Sequence, residues 1–289
     1  MQALPVFYDP RQNASNPNSA SPSAHKPAEV MVSWQALGVP LDVRDFEPVR
    51  PERFHAVHQA SYVDGVFAGT HPNGFYNTSL EVAESLRWTS GSFLAAARCV
   101  AAGAPVAVSP TSGFHHARWG GGGGYCTFNG LMLAARTLLD EGVERVGILD
   151  LDMHYGNGTD DIILQLRLSP RVEHYSFGLS AVAPGLARNP DGTERWLAGL
   201  PELVDGFQKK GCQVLLLQAG ADPHVEDPLG GVMTSEQMRR RDAIVFTRCR
   251  ELGLPVAWNL AGGYQQPLRK VLDLHDATLR ACAEVFVRD

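Results

Sequence analysis

Cysteine is scarce in this sequence, and the few cysteines that occur are scattered. Their number, five, is odd, and no Cys-x-x-Cys pair is present. Such a set argues against a disulfide framework and is typical of reduced thiols in a cytosolic protein. We therefore expect the protein to be cytoplasmic. The positions are Cys99, Cys126, Cys212, Cys249 and Cys282.

The sequence also lacks long apolar runs, a basic leader and an excess of positive charge. No apolar run approaches the length that crosses a bilayer, so a transmembrane helix is not expected. The N-terminus has no basic segment followed by an apolar core, so a signal peptide is not expected either. The net charge of −6 gives no sign of a nucleic-acid groove or a polybasic membrane anchor, and we expect neither partner.

The composition that is present describes an ordinary globular protein. Apolar residues make up 44% and charged residues 19% of the 289 residues. No linker, composition shift or internal repeat divides the chain, so we predict a single domain over residues 1–289. Residues 11–28 are rich in Asn, Ser, Pro and Ala, which predicts a surface loop.

Helices, glycines and short apolar strands alternate along most of the chain. Thr78 with Glu81, and Thr234 with Gln237, are expected to form capping boxes at two helix starts. Apolar strands that alternate with helices predict an α/β fold, with a central, mostly parallel sheet flanked by helices on both faces. The predicted strands are Pro5–Tyr8, Val106–Ser109, Val143–Leu149, Gln213–Gln218 and Val256–Leu260, and the predicted helices include Asn129–Glu141, Glu194–Lys210 and Ser235–Leu252.

The stretch from Val146 to Gly158 carries the strongest chemical signal. An apolar strand ends there in Asp-x-Asp-x-His and then breaks at two glycines. Alternate side chains of an extended backbone share a face, so Asp150, Asp152 and His154 project to the same side. Carboxylate oxygens and an imidazole nitrogen suit a divalent transition metal, zinc above all. We therefore predict a metal site where this strand ends.

Three other predicted strands are also followed by polar residues of catalytic type. His115 and His116 come after the second predicted strand, Asp222 after the fourth and Tyr264 after the fifth, each beside glycines. Ligands of open α/β sheets bind outside the carboxyl ends of the strands. We therefore expect these residues to meet at one rim of the sheet.

Four blocks of sequence resemble the histone deacetylase and acetylpolyamine amidohydrolase superfamily, which has the arginase/deacetylase fold. Their order and spacing match over roughly residues 50–289. The blocks are His115-His116-Ala117, the segment from Gly124 to Asn129, the segment from Asp150 to Gly158, and Gly220-Ala221-Asp222 with Gly262-Gly263-Tyr264. This resemblance implies a metal-dependent hydrolase of linear amide bonds.

The resemblance also implies roles for individual residues. Asp152, His154 and Asp222 would bind one catalytic zinc ion and leave coordination open for water and the substrate carbonyl. His116 would act as the general base, and His115 as its electrostatic and hydrogen-bonding partner.

Three further residues take supporting roles in the same resemblance. The Tyr264 hydroxyl would donate to the developing oxyanion. Asp150 would orient His115 without contacting the metal, and Asn157 would be the hydrogen-bonding partner of His116.

A channel and a second cation complete what the resemblance implies. Phe114, Gly124 and Tyr125 are expected to line the channel for an extended acyl-lysine-like chain. A potassium ion is expected near the strand that carries the zinc ligands. Its expected ligands are Asp150, Asp152, His154, Ser176 and Phe177.

Several positions depart from the common pattern of the superfamily. Phe114 replaces a glycine. Tyr155 stands where many members have a second histidine, and the class IV deacetylases also carry a residue other than histidine there. Ala183 occupies a position where many members place an aromatic residue, which predicts a wide channel mouth. None of these changes touches an expected metal ligand.

The favoured function is a zinc-dependent deacylase that acts on an acylated lysine side chain or on a small acylated amine or polyamine. One alternative is a dimanganese ureohydrolase resembling arginase, but Gly156 and His224 stand where that class needs additional aspartates. Another alternative is a catalytically silent protein that binds acylated amines. The sequence does not distinguish zinc from iron as the metal, and it leaves a homo-oligomer as one option for the oligomeric state.

Overall fold

Seven strands form one parallel sheet in the computed structural model, which describes residues 3–16, 19–182 and 190–287, with the backbone alone for 180–182 and 190. The strand order is β2-β1-β3-β7-β6-β4-β5, and all neighbours are parallel. The predicted α/β fold with a parallel sheet is confirmed. The strands are β1 (Leu4–Phe7), β2 (Leu41–Arg44), β3 (Val106–Ser109), β4 (Val146–Asp150), β5 (Val172–Ser176), β6 (Val214–Gln218) and β7 (Val256–Asn259).

Helices cover both faces of the sheet because successive strand residues point to opposite sides. Leu215 and Leu217 of β6 belong to one core, whereas Val214 and Leu216 belong to the other. Helices α1, α7, α8 and α9 contribute to the first core, and α2, α3, α4 and α5 to the second. The helices are α1 (Lys26–Gln35), α2 (Ala60–Phe67), α3 (Leu80–Ala101), α4 (Gly130–Asp140), α5 (Asn157–Gln165), α6 (Phe177–Val182), α7 (Pro190–Lys209), α8 (Ser235–Leu252) and α9 (Arg269–Phe286).

One of the two predicted capping boxes is confirmed. Thr234 Oγ1 accepts the backbone N–H of Gln237, and the Gln237 side chain accepts the N–H of Thr234. The other prediction is wrong, because α3 begins one residue later than expected and Ser79 is its cap. Glu81 accepts instead from the N–H of Ser15, at 2.7 Å.

The segment 11–28 differs from the predicted surface loop. Its described residues include the end of one short 3-10 helix, Pro10–Gln12, all of a second, Pro22–Ala24, and the first residues of α1. The side chain of Lys26 is fully buried, and its Nζ donates to the carbonyl oxygen of Ala261 at 2.5 Å.

Two other predictions concern membrane-spanning helices and the channel mouth. Within those residues, no helix is both long and apolar enough to cross a bilayer. Ala183, from which a wide channel mouth was predicted, lies outside the described residues.

Candidate active site

The predicted site motifs follow four strands that are neighbours in the sheet. These strands are β3, β7, β6 and β4, in that spatial order. All four are parallel, so the loops that carry the motifs leave the same edge of the sheet. Local sequence therefore supplies each motif, and the sheet order brings the motifs together.

Three side chains at this edge form a group that could hold a metal ion. Ligand atoms of Asp152, His154 and Asp222 all lie within 4.8 Å of one another. His154 Nδ1 is 2.9 Å from Asp222 Oδ2 and 3.2 Å from Asp152 Oδ1. Both carboxylates are buried, whereas the His154 side chain is 35% exposed, so the group is open on the histidine side.

The electrostatics of this group favour a bound cation. The hydrogen bonds that the His154 ring donates to Asp152 and Asp222 raise the pKa of His154 to about 11. Burial, together with the neighbouring Asp152 carboxylate, raises the pKa of Asp222 to about 7. Two carboxylates held this close repel each other unless positive charge lies between them. Two oxygens and one imidazole nitrogen are also the donors that zinc and iron accept. The residues present therefore fit a divalent transition metal.

Glycines allow the backbone to approach the two carboxylates closely. A Cβ atom on Gly262 would lie 2.4 Å from Asp222 Oδ2, and one on Gly220 would lie 2.7 Å from the Asp152 Cα. The N–H of Gly262 donates to Asp152 Oδ2 at 2.8 Å. Any side chain at either position would displace a predicted metal ligand, which explains the glycines in these motifs.

The two adjacent histidines have different environments and different proton affinities. His115 Nδ1 lies 2.6 Å from Asp150 Oδ2. Burial opposes a charge on His115, but Asp150 and Asp152 outweigh it and raise its pKa to about 9. Burial and the neighbouring His115 instead lower the pKa of His116 to about 4.

His116 is therefore the neutral member of the pair at pH 7, and its tautomer is fixed. Its Nδ1 lies 2.9 Å from Asn157 Oδ1, and an amide oxygen can only accept. Nδ1 therefore carries the proton, and Nε2 has a free lone pair. The ring centres of His116 and His154 are 5.9 Å apart, so the His116 ring lies beside the metal-binding group.

Tyr264 reaches the same site from the loop after β7. Burial, with the nearby Asp222 and Asp152 carboxylates, raises its pKa well above the usual value, so the hydroxyl stays protonated. The Tyr264 ring centre is 5.7 Å from that of Tyr125. The tyrosine expected to donate to the oxyanion, Tyr264, therefore lies next to the tyrosine expected to line the channel, Tyr125.

The expected channel residues fall into two groups. Tyr125 packs against Phe75, with 5.8 Å between ring centres, and the N–H of Gly124 donates to the Tyr76 hydroxyl. Phe114 differs from the prediction, because its ring is buried in the second core, 5.6 Å from that of Phe93. A cavity of about 630 Å³ lies beside the proposed base, His116, and its partner Asn157. The rest of its wall is formed by Arg118, Trp119, the glycines at 120–124, Asp161 and Gln165.

The segments expected to bind potassium also come together. Ser176 Oγ accepts the N–H of Gly156 at 3.0 Å, and Asp150 Oδ1 accepts the N–H of Asp152 at 3.2 Å. A Cβ atom on Gly178 would lie 2.1 Å from the His154 carbonyl carbon, so the chain beside Phe177 packs directly on His154. The potassium site itself stays a prediction.

Sequence reasoning missed polar residues that support the site. The Gln218 side chain donates to Asp150 Oδ1 at 3.0 Å and accepts from the N–H of Phe114 at 3.1 Å. Asp227 Oδ2 accepts the N–H of Tyr264. Gln218 could have been recognised as a polar residue at the end of an apolar strand, whereas Asp227 had no such signal.

Comparison with known proteins agrees with this geometry. A family model described as a histone deacetylase domain matches residues 24–178, more than half of the chain. An uncharacterized protein of Picosynechococcus is 29% identical over 265 residues, covering 83% of this chain and 85% of that protein. Acetylpolyamine amidohydrolase 1 of Pseudomonas aeruginosa is 31% identical over 169 residues, covering 52% of this chain. That match spans only 48% of the length of the amidohydrolase.

Solved structures share the fold along nearly the whole chain. An acetylpolyamine aminohydrolase from Burkholderia pseudomallei has a TM-score of 0.75 at 19% identity, with 98% of this chain and 99% of that chain covered. The HDA15 HD domain has a TM-score of 0.78 at 18% identity, with 98% and 88% covered. Named relatives in these comparisons are hydrolases of amide bonds. The family model, the relatives and the fold together show that the chain belongs to the histone deacetylase family, in the superfamily that includes the acetylpolyamine amidohydrolases.

Proposed function

We propose that the protein is a zinc-dependent amide hydrolase that removes an acyl group from a lysine side chain or from a small acylated amine or polyamine. One observation carries the proposal. The group formed by Asp152, His154 and Asp222 lies beside His116, a histidine that stays neutral at pH 7. A cation site next to a free imidazole nitrogen is the arrangement that hydrolysis of an unactivated amide needs.

The three residues of this group would hold the metal. Bound zinc would supply a Lewis acid that lowers the pKa of water and polarises the acyl carbonyl. Iron accepts the same donors and is the alternative occupant.

Proton transfer falls to the histidine pair. His116 Nε2 accepts a proton from the attacking water, because its Nδ1 is already committed to Asn157. The same nitrogen then returns the proton to the amine as the C–N bond breaks, which leaves a carboxylic acid and a free amine. His115 keeps its proton through Asp150 and places positive charge beside the reacting carbonyl.

Tyr264 stabilises the charge that develops on the carbonyl oxygen. Its hydroxyl stays protonated and can donate at neutral pH, since burial raises its pKa. Tyr125, which packs near it, would flank the substrate chain. A potassium ion near Asp150 and Ser176 would offset the negative charge behind the site.

Support for the substrate class and the compartment comes from separate observations. Relatives named acetylpolyamine amidohydrolases favour acylated amines as substrates. All five cysteines are free, which agrees with a reducing compartment such as the cytoplasm.

The test is turnover of a panel of acylated lysine peptides and acylated polyamines by zinc-loaded protein, with and without chelator. Chelator-sensitive cleavage is expected, and the best substrate would distinguish proteins from small amines. No cleavage of any substrate, with one zinc bound per chain, would contradict the proposed hydrolase. A metal count of two per chain would instead favour the ureohydrolase, although the described residues contain only one group of three potential ligands.

A further inference from the structure

Arg241 is a buried cation for which the proposed mechanism has no use. It lies on α8 and its side chain is 0% exposed. The two residues that precede it, Arg239 and Arg240, are instead exposed and form surface ion pairs with Glu236 and Glu194. A buried charge is costly unless it is paired and hydrogen-bonded, so the partners of Arg241 indicate its role.

The guanidinium bridges the ends of two neighbouring strands. Arg241 Nη1 donates to the carbonyl oxygens of Leu151 at 3.2 Å and of Gly220 at 3.0 Å. Leu151 follows β4 and immediately precedes Asp152, and Gly220 follows β6 two residues before Asp222. The regular pairing of β4 with β6 ends at Asp150 and Gln218, one residue before Leu151 and two residues before Gly220. Arg241 Nη1 thus connects the two backbone segments just beyond the last paired residues of β4 and β6.

A second set of contacts fixes the orientation of the guanidinium. Arg241 Nε donates to Asp242 Oδ1 at 2.7 Å, and both side chains are buried. The other oxygen of Asp242 accepts from the Thr278 hydroxyl on α9 at 2.6 Å. The pair is therefore neutral as a whole and anchored to two helices.

We propose that Arg241 is a positioning residue that holds Asp152 and Asp222 at the separation a divalent metal ion requires. The inference rests on the metal centre of the proposed function and adds to it the part of the fold that sets the ligand spacing. Loss of the guanidinium would remove a donor from two carbonyls next to the ligands, and the two loops could then separate. Mutation of a residue that positions a metal ligand typically lowers metal affinity by about 10- to 100-fold.

The test is the metal affinity of the whole chain after metal removal, titrated with Co²⁺ and Zn²⁺ against a chromophoric chelator. Arg241→Lys keeps the buried cation but loses the planar fork that serves Asp242 and the carbonyls together. The double variant Arg241→Met/Asp242→Leu removes both charges, so neither is left buried without its partner. We expect both variants to bind either metal roughly 10- to 100-fold more weakly than the wild type. If the double variant does not fold, Arg241→Lys carries the test.

Two controls separate positioning from general stability. Arg240→Met removes an exposed arginine from the same helix and should leave metal affinity unchanged. Asp242→Asn weakens the buried pair but keeps the two carbonyl contacts, so it should lower the stability to urea more than the metal affinity.

The outcomes distinguish the two proposals. Wild-type affinity in a folded Arg241 variant, or an equal loss of affinity in Asp242→Asn at matched stability, would overturn the positioning role. A wild-type chain that binds neither metal would overturn the proposed metal centre as well.

Discussion

Asp227 accepts the backbone N–H of Tyr264, with 2.7 Å between the amide nitrogen and Oδ2. Its other carboxylate oxygen accepts the N–H of Leu229 at 2.9 Å, and the residue is 5% exposed. The loop that carries Tyr264 is irregular, with φ of +54° at Ala261 and +141° at Gly263. Backbone in such conformations depends on contacts from its surroundings, so Asp227 fixes the position from which the Tyr264 hydroxyl is presented.

A double-mutant cycle tests this relationship. Tyr264→Phe should lower kcat by about 100- to 1,000-fold, the effect of removing one oxyanion donor, while zinc stays bound. Asp227→Ala should also lower kcat, because the tyrosine is displaced. In the Tyr264→Phe background, the same alanine substitution should have little further effect on kcat. Additive losses would show that Asp227 does not act through Tyr264.

The sequence predicted the reactive residues of this site better than the residues that hold them in position. Asp152, His154 and Asp222 lie in short motifs in which each residue type suggests its own chemistry. The parallel sheet follows from apolar strands that alternate with helices. Together these features were sufficient to predict that the motifs meet at one rim.

The supporting contacts could not be predicted, because they depend on tertiary packing. Asp227 and Arg241 lie in a loop and a helix whose sequences resemble ordinary polar segments, and only the folded chain shows what they contact. Phe114 was expected to line the channel, but its ring is buried in the second core. Phe114 lies outside the helices and strands, where position along a motif does not determine which way a side chain points.

The hydrogen bond between His116 and Asn157 leads to a pH prediction. In Asn157→Asp, a carboxylate would face Nδ1 and favour the imidazolium, which raises the pKa of His116 from about 4. A base with a higher pKa is protonated at a higher pH, so the acid limb of kcat/KM should move up by at least about one pH unit. Asn157→Ala adds no charge and should not shift the limb upward. The measurement is kcat/KM against pH at constant metal occupancy. An unshifted limb in the aspartate variant would remove His116 as the base.

Loss of Asp222 should abolish metal binding. The wild-type chain should melt at a higher temperature with added zinc, because a ligand of the folded state stabilises it; the gain is about 2.7 kcal/mol at a hundredfold excess over Kd. Asp222→Ala should show neither this rise nor stoichiometric zinc by elemental analysis. Asp161→Ala, a carboxylate on the cavity wall, is the matched control and should keep both. Retention of one zinc in Asp222→Ala would show that the third ligand is another residue.

His58 makes a prediction about stability, separate from the metal centre. Its ring is fully buried, Nδ1 donates to the Arg118 carbonyl oxygen, and Nε2 accepts the N–H of Asn129. Burial lowers its pKa to about 4, against 6.5 in the unfolded chain. Between these values the unfolded state binds the proton and the folded state does not, so the free energy of unfolding falls as the pH drops from 6.5 toward 4. The loss attributable to this group is about 3 kcal/mol.

The variant His58→Gln keeps a donor and an acceptor but does not titrate. It should be less stable than the wild type at pH 7.5, because a flexible amide replaces a well-packed ring, and the difference should shrink as the pH approaches 5. Urea denaturation at both pH values, in chelator so that metal release does not contribute, measures the two slopes. Equal pH dependence in wild type and variant would show that His58 is not the group that titrates. The remaining slope would then belong to other buried histidines, of which His275 also has a pKa well below its usual range because of its burial.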